Sequence, residues 1–319
     1  MITLQHAYIV AGLFFLALVI LSARDAANPR RLRNAAFWGL MAASFLGGGF
    51  FGDLGNGLLA LGLVAVAAFG LGQGKPPTTT QAERRASAER NGNLLFLPAL
   101  IIPAAALGGT LLVKETSFGP LLIQASQATL VSLTLGVLIA IGVIMVWLKP
   151  PLLAPLEEGR RLMDAVGWAA ILPQMLASLG AVFLAAGVGE QVGAIFSQYI
   201  PLDTRTMAVA AYCIGMALFT IIMGNAFAAF PVMTAAVGLP FVIHALGGDP
   251  ARVCAIGMLA GFCGTLMTPM AANFNVVPAN LLELPDRNAA LNGVIRAQIP
   301  TAIPLLIANI ILMRWLAFP

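Results

Sequence analysis

Met223-Gly224-Asn225-Ala226-Phe227-Ala228-Ala229-Phe230-Pro231 lies midway through an apolar run from 206 to 246. Gly and Pro bracket an Asn in otherwise apolar sequence. The run is too long for one span, which needs about 20 residues. Backbone can leave a helix at membrane depth only where it is buried in protein or lines a wet cavity. The stretch therefore predicts a re-entrant hairpin. Its tip would present helix-end N–H groups and the Asn225 side chain together. That suits a carboxylate, or a cation held by carbonyls and one amide oxygen. The competing reading is a Pro-kinked span with one Asn bonded to a neighbouring helix.

The next apolar run, 251–283, is also too long and also broken. Its middle reads Cys263-Gly264-Thr265-Leu266-Met267-Thr268-Pro269-Met270-Ala271-Ala272-Asn273-Phe274-Asn275. Pro269 cannot donate to a helix ladder and disfavours helical geometry at Thr268. Thr265, Thr268, Asn273 and Asn275 offer uncharged oxygens, and freed carbonyls offer more. Hard monovalent cations favour such donors; interhelical hydrogen bonding is the plainer reading. Upstream, Gly257 and Gly261 form a GxxxG, read as close helix packing. Two breaks in neighbouring segments strengthen each other, because a hairpin followed by a discontinuous helix is one way carriers build a midplane site.

The rest of the chain sets the context. Of 319 residues, 60% are hydrophobic and 9% charged, and the mean hydropathy is +0.92. A soluble domain carries about 25% charge, so this composition excludes soluble, disordered, fibrous and disulfide-scaffold classes. A net charge of +4, distributed by membrane side, gives no footprint for nucleic acid. The predicted class is an all-α polytopic protein of the lipid bilayer. Further apolar segments run over 4–21, 35–52, 55–72, 94–113, 121–148, 166–187 and 297–313. Residues 1–72 read as a three-helix N-terminal unit. Residues 73–93 read as a solvated cytoplasmic linker, and 94–319 as a larger unit. Residues 188–203 read as an interfacial amphipathic helix leading into the hairpin.

Lys and Arg placement sets orientation. With the N-terminus outside and 206–246 a hairpin, 13 basic residues fall inside and 4 outside (Lys114, Arg205, Arg252, Arg314). Both termini are then outside. Trp38, Trp147 and Trp168 at inner helix ends and Trp315 at an outer end agree with this. Arg24 follows the first apolar segment, which reads as a retained span rather than a signal peptide.

Weaker features remain. The polar cluster Gln124 to Thr134 reads as helix–helix bonding. The Gly-rich stretch 47–57 reads as a tight outer turn. Cys213, Cys254 and Cys263 read as small buried thiols. No HExxH, GxSxG or P-loop motif is present, so no enzyme and no cofactor is expected. No Asp or Glu lies within the interior of the apolar segments, which leaves no carboxylate relay there and favours Na⁺ over H⁺ as a coupling ion.

The sequence resembles a bacterial inner-membrane family of unknown function, domain family 979. The carrying stretches are ITLQHAYIVAGLFFL with RDAANPRRLRNAAFWGL, then MGNAFAAFPVMTAAVGLP and GTLMTPMAANFNVVPANLLEL. That family is grouped with the ion-transporter superfamily, which includes sodium-coupled dicarboxylate carriers. The resemblance implies one repeat over 94–319: three spans, an interfacial helix, a re-entrant hairpin, a broken helix and a last span. Gly224, Asn225 and Ala226 would stand at the Ser-Asn-Thr tip of such carriers, and Met267-Thr268-Pro269 at their Ala-Thr-Pro break. Gly224 and Ala226 replace two hydroxyls. A complete carrier has two inverted repeats, and one is visible here. The resemblance thus implies a second polytopic membrane subunit supplying the inverted repeat. It also implies a small organic anion such as 5-oxoproline or a related carboxylate as substrate. The implied site is Gly224, Asn225, Ala226, Thr265, Thr268, Pro269, Asn273 and Asn275, with Na⁺ at Asn225 and the backbone of Gly224 and Thr265. The rival expectation is a non-transporting assembly or sensing subunit.

Overall fold

The computed structural model describes residues 1–72, 74, 79–199, 202, 204–282 and 286–318. At 81, 173, 174, 176, 177, 272, 273, 280, 281, 287 and 288 it describes the backbone alone. Among the described residues regular structure is helical, apart from one isolated bridge between Ile2 and Ile123. Among the described residues seven helices are long and apolar enough to cross a membrane, or eight if a bent pair counts as one span. The chain is an all-α, multi-pass membrane protein. Its contacts divide it into two units, Met1–Asp164 and Ala165–Pro319.

The first unit opens with α1, Leu4–Arg24, and α2, Arg31–Ala68. A straight helix of 38 residues would be about 57 Å long. Yet Arg33 Nη1 donates to the Phe69 carbonyl at 2.7 Å, and Asn34 Nδ2 to the Gly72 carbonyl at 2.7 Å. The two ends therefore lie side by side, and α2 folds back on itself at Gly52, whose φ is +61°. Across the tip, Asn56 Nδ2 donates to the Gly48 carbonyl at 2.9 Å. With α1 this makes three antiparallel rods, packed through Phe15 stacked on Trp38 and Phe45.

The polar stretch 73–93 departs from a simple linker, because α3 spans Gln81–Asn91. Thr80 and Glu83 form a reciprocal capping box, which satisfies first-turn N–H groups and starts a helix without an apolar face. Next come α4, Leu97–Glu115, the short α5, Gly119–Leu122, and α6, Ala128–Trp147. Gly136 lets α6 approach Ala105 and the Ile102 backbone of α4, and Thr110 and Thr129 hydroxyls meet at 2.9 Å. Helix α7, Ala154–Val166, ends this part. The main division thus falls after Asp164 rather than at 73–93. The physical reason is bonding across the polar stretch: Ile2 pairs with residues 122–124, and Arg160 and Asp164 bond to α1 and α2.

In the second unit the expected span 166–187 is shorter than foreseen. Gly167 at φ +59° turns the chain, residues 167–171 form a 3-10 turn, and α8 covers only Leu172–Ala185. After Gly187 at φ +70°, α9, Val188–Tyr199, is bent 70° from Ser178–Ala185. Then follow α10, Arg205–Met223, and α11, Ala226–Met233, which continues as a wider π-helical stretch over Thr234–Ala245. Pro231 and Pro240 withhold N–H groups from this arm. Helix α12 is Pro250–Leu266, α13 is Val277–Leu281 and α14 is Arg287–Leu316. The last span is longer than the foreseen 297–313.

Candidate functional site

Glycine and asparagine divide one task at residue 224–225. Gly224 takes φ +75° and ends α10, its N–H donating to the Thr220 carbonyl at 2.7 Å. Asn225 is extended, and its Oδ1 accepts from Phe227 N at 2.7 Å, capping α11. The chain then returns along α10. Tyr212 Oη lies 2.9 Å from Thr234 Oγ1, Gly238 meets the same ring, and Met233 Cε lies over Gly215. Each of these pairs is nearly equidistant in sequence from Gly224–Asn225. Residues 205–245 are therefore an antiparallel helical hairpin, and the kinked-span reading does not describe them. Its arms, 19 and 20 residues, are each long enough to be a span.

Small residues bring neighbours onto this hairpin. Gly257, Gly261 and Gly264 of α12 sit against Tyr212, Met216 and the Ala217 backbone of α10. On the other side, Gly180, Gly189 and Gly193 meet Ala228, Val232 and Ala236 along one face of the second arm.

The second break lands on the first. At Leu266 the α12 ladder stops, and Thr268 Oγ1 donates to the Ile221 carbonyl, an orphan of the last turn of α10, at 2.9 Å. A Cβ on Gly224 would lie 2.5 Å from Met270 Cβ, so the hairpin tip sits directly on the break. Asn275, fully buried, donates from Nδ2 to the carbonyls of Thr265 (2.9 Å) and Thr268 (2.6 Å). It thereby satisfies two carbonyls that the helix break sets free.

Among the described residues, the buried Asn275 Oδ1 and Thr220 Oγ1 have no hydrogen-bond partner, and neither has Gln298 Oε1. Asn275 and Thr220 are 0% exposed. One bonded chain connects them, running Asn275–Thr268–Ile221 with Thr220 adjacent. An unmade hydrogen bond at a buried polar atom costs about 1–3 kcal/mol. Asn275 Oδ1 and Thr220 Oγ1 are both acceptors of the kind a cation or a polar donor can use. Asn225 Nδ2 likewise has no bond among the described residues, while Oδ1 is spent on the cap.

Level along the fold is fixed by α14. Arg252 Nη1 donates to the Leu316 carbonyl at 2.7 Å, so one end of α14 lies beside the start of α12. Asn309 Nδ2 reaches Cys263 Sγ at 3.5 Å, and Gln298 Nε2 donates to the Phe274 carbonyl at 3.1 Å. The break thus lies between positions 298 and 309 of a helix whose ends are 287 and 316. Arg296 and Arg314 bound an uncharged stretch about 27 Å long on that helix, close to the apolar thickness of a bilayer. Arg205, His244, Asp249, Arg252 and Arg314 gather at the hairpin's open end.

Of the residues read from sequence, Gly224, Asn225, Thr265, Thr268 and Asn275 are brought together. Ala226, fully buried, faces Gly261 of α12. Pro269 and Met270 are exposed beside the tip. The Asn273 side chain lies outside the described residues. Thr220 was missed; its signal is a hydroxyl one turn before the Gly-Asn pair in an apolar helix. Asn275 is more central than its place in the sequence suggested. Behind the break, a mostly apolar cavity of about 240 Å³ is lined by Leu259, Phe262, Cys263, Leu266, Phe274, Leu305 and Asn309.

A family described as "Protein of unknown function (DUF979)" matches residues 5–318. The chain belongs to this family. No curated protein and no solved structure matches the chain. Family membership therefore fixes kinship across the whole chain, and the arrangement around Asn225 and Asn275 carries the functional argument.

Proposed function

We propose that this chain is a subunit of a secondary transporter for a small organic anion, with 5-oxoproline or a related carboxylate as substrate class. The observation that carries the reading is the pair of helix breaks packed tip to tip, with unpartnered buried oxygens at Asn275 and Thr220. Breaks of this kind place backbone dipoles and uncharged oxygens where a desolvated ion can be held. Asn225 Nδ2 and the first N–H groups of α11 contact the carboxylate. Asn275 Oδ1, Thr220 Oγ1 and the carbonyls around Gly224 and Thr265 hold a coupling Na⁺. Thr268 and Pro269 shape the break that exposes those carbonyls.

One hairpin and one break make half of a midplane site. In this reading a second polytopic subunit supplies an inverted repeat facing Pro269 and Met270. In this reading the ion-transporter-type repeat runs in chain order from α4 and α6 through α8 to α14. The protein works in a bacterial inner membrane with both termini outside and the breaks at mid-depth.

The test is uptake of labelled 5-oxoproline and related carboxylates into vesicles holding this chain with and without a candidate second subunit. Uptake driven by a Na⁺ gradient and dependent on both chains is expected. Full-rate transport by this chain alone, as a monomer, would overturn the split-carrier reading. Asn225→Ala transporting like the parent would overturn the site.

A further inference from the structure

Away from that site, at the end of the first unit where α1 stops and α2 starts, lies a cluster of buried charges. We propose that Asp164 is a proton-binding site whose occupancy sets how firmly α7 docks on α1 and α2. Three carboxyl groups, Asp25, Glu157 and Asp164, surround one guanidinium, Arg160, which is 4% exposed. Both terminal nitrogens of Arg160 face groups other than Asp164, and its Nε has no hydrogen-bond partner among the described residues. Nη1 donates to the Leu21 carbonyl at 2.8 Å and to Asp25 Oδ2 at 3.3 Å, and Nη2 pairs with Glu157 Oε2 at 3.3 Å.

Asp164, 7% exposed, has no ion-pair partner within 4 Å among the described residues. Its Oδ1 accepts from two neutral donors, Asn34 Nδ2 at 3.0 Å and Trp38 Nε1 at 3.3 Å. Its Oδ2 accepts from none of them. A methyl group placed on Gly74 would fall onto Asp25 Oδ2 and 3.7 Å from Asp164 Oδ2, so two carboxylate oxygens converge over that glycine. Two like charges so placed, with one committed cation between three acids, favour uptake of a proton. Oδ2 is the free atom that would carry it.

The groups facing Asp164 are Arg160 and Glu157 on its own helix, Asp25 at the end of α1, Asn34 and Trp38 on α2, and the Gly74 backbone. Arg30 and Arg33 are turned to the carbonyls of Leu71 and Phe69, and Arg161 pairs with Glu158. Burial pushes the Asp164 carboxyl up from its ordinary value; the Trp38 and Asn34 bonds and Arg160 oppose this, and Asp25 adds to it. When α7 is undocked, Asp164 returns to that ordinary value. The docked form therefore binds the proton more tightly. Docking is firmest below the ordinary carboxylate value and weakens as pH rises from there to the raised, docked-state value.

Trp38 reports the site directly, since its indole N–H bonds to Asp164. The full chain in nanodiscs, with Trp147, Trp168 and Trp315 replaced by Phe, leaves Trp38 as the sole emitter. Its emission should titrate with a midpoint above that of a free aspartate, and Asp164→Asn should flatten the curve. Asp25→Asn should lower the midpoint by removing a like charge. Backbone hydrogen exchange over 157–164, corrected for intrinsic pH dependence, should speed up severalfold across the same window in the parent and not in Asp164→Asn. Flat Trp38 emission in the parent between about pH 4 and 8, or an unchanged midpoint in Asp164→Asn, would overturn the proposal. Should Asp164→Asn fail to fold, a midpoint that does not fall in Asp25→Asn overturns it alone. None of these readouts depends on transport.

Discussion

Two hairpins in this chain are built from the same local device. In each, a glycine with positive φ joins two apolar helices, Gly52 at +61° and Gly224 at +75°. Their surroundings differ. Nothing lies within 4 Å of a Cβ built on Gly52, and Phe50 beside it is 89% exposed. A Cβ on Gly224 would strike Met270, and Ala226, Ala228 and Ala229 beyond it are fully buried. The first tip is a connection. The second is a seat for another helix break, with the buried polar groups of Asn225, Thr268 and Asn275 around it. A glycine turn in an apolar hairpin is thus not a site by itself; what packs on the turn makes it one.

The sharpest way to break this comparison is to add one methyl group at each tip. Gly224→Ala should cost about 2–5 kcal/mol, the sum of left-handed strain and overpacking against Met270. Gly52→Ala should cost about 1–3 kcal/mol from backbone strain alone. Thermal melting of the two purified variants measures both; equal losses would erase the distinction drawn between the tips.

Asn225 separates capping from binding. Asn225→Ala should lower uptake at least tenfold while membrane insertion stays intact, since Ala carries no insertion penalty. Asn225→Ser keeps a capping oxygen but lacks Nδ2. It should stay folded and still fail to transport; normal uptake would reduce Asn225 to a cap.

Thr268→Val removes the hydroxyl bonded to the Ile221 carbonyl. Ion or substrate binding should weaken by about 1–2 kcal/mol, as read from the Na⁺ dependence of uptake. A hydroxyl lost from the first hairpin, at the half-buried Ser44, should leave that dependence unchanged. The smallest effect concerns topology. A cysteine at position 85 should label only after the membrane is opened, given the 13-to-4 charge split. Labelling from outside intact cells would invert the arrangement without altering either tip.

Much of this was legible in the residues. The multi-pass helical class, the three N-terminal rods and both breaks follow from apolar run length and from Gly, Pro and Asn placement. The Gly257–Gly261 spacing announced close packing, and α10 lies on it. Other features were hidden. The third span of the larger unit is shortened because Gly167 and Gly187 turn the chain, and neither stands out among 33 glycines. The helix in 73–93 depends on the Thr80–Glu83 box, a short polar signal in a stretch without an apolar face. Asp164 carries no local signal, because only folding sets it beside Asn34 and Trp38, some 130 positions away.

The sequence by itself determined a helical membrane protein with two interrupted segments. Apolar length and proline chemistry act locally, and apolar runs of this length satisfy their backbone in lipid as helices rather than as the shorter strands of a barrel. Only the tertiary structure decided that the two interruptions meet, that Asn225 spends its oxygen on a helix cap, and that Asn275 and Thr220 keep theirs unpaired. Those outcomes depend on which small residues let which backbones approach. Close packing is a property of pairs of surfaces, and a single chain of letters does not display its pairs.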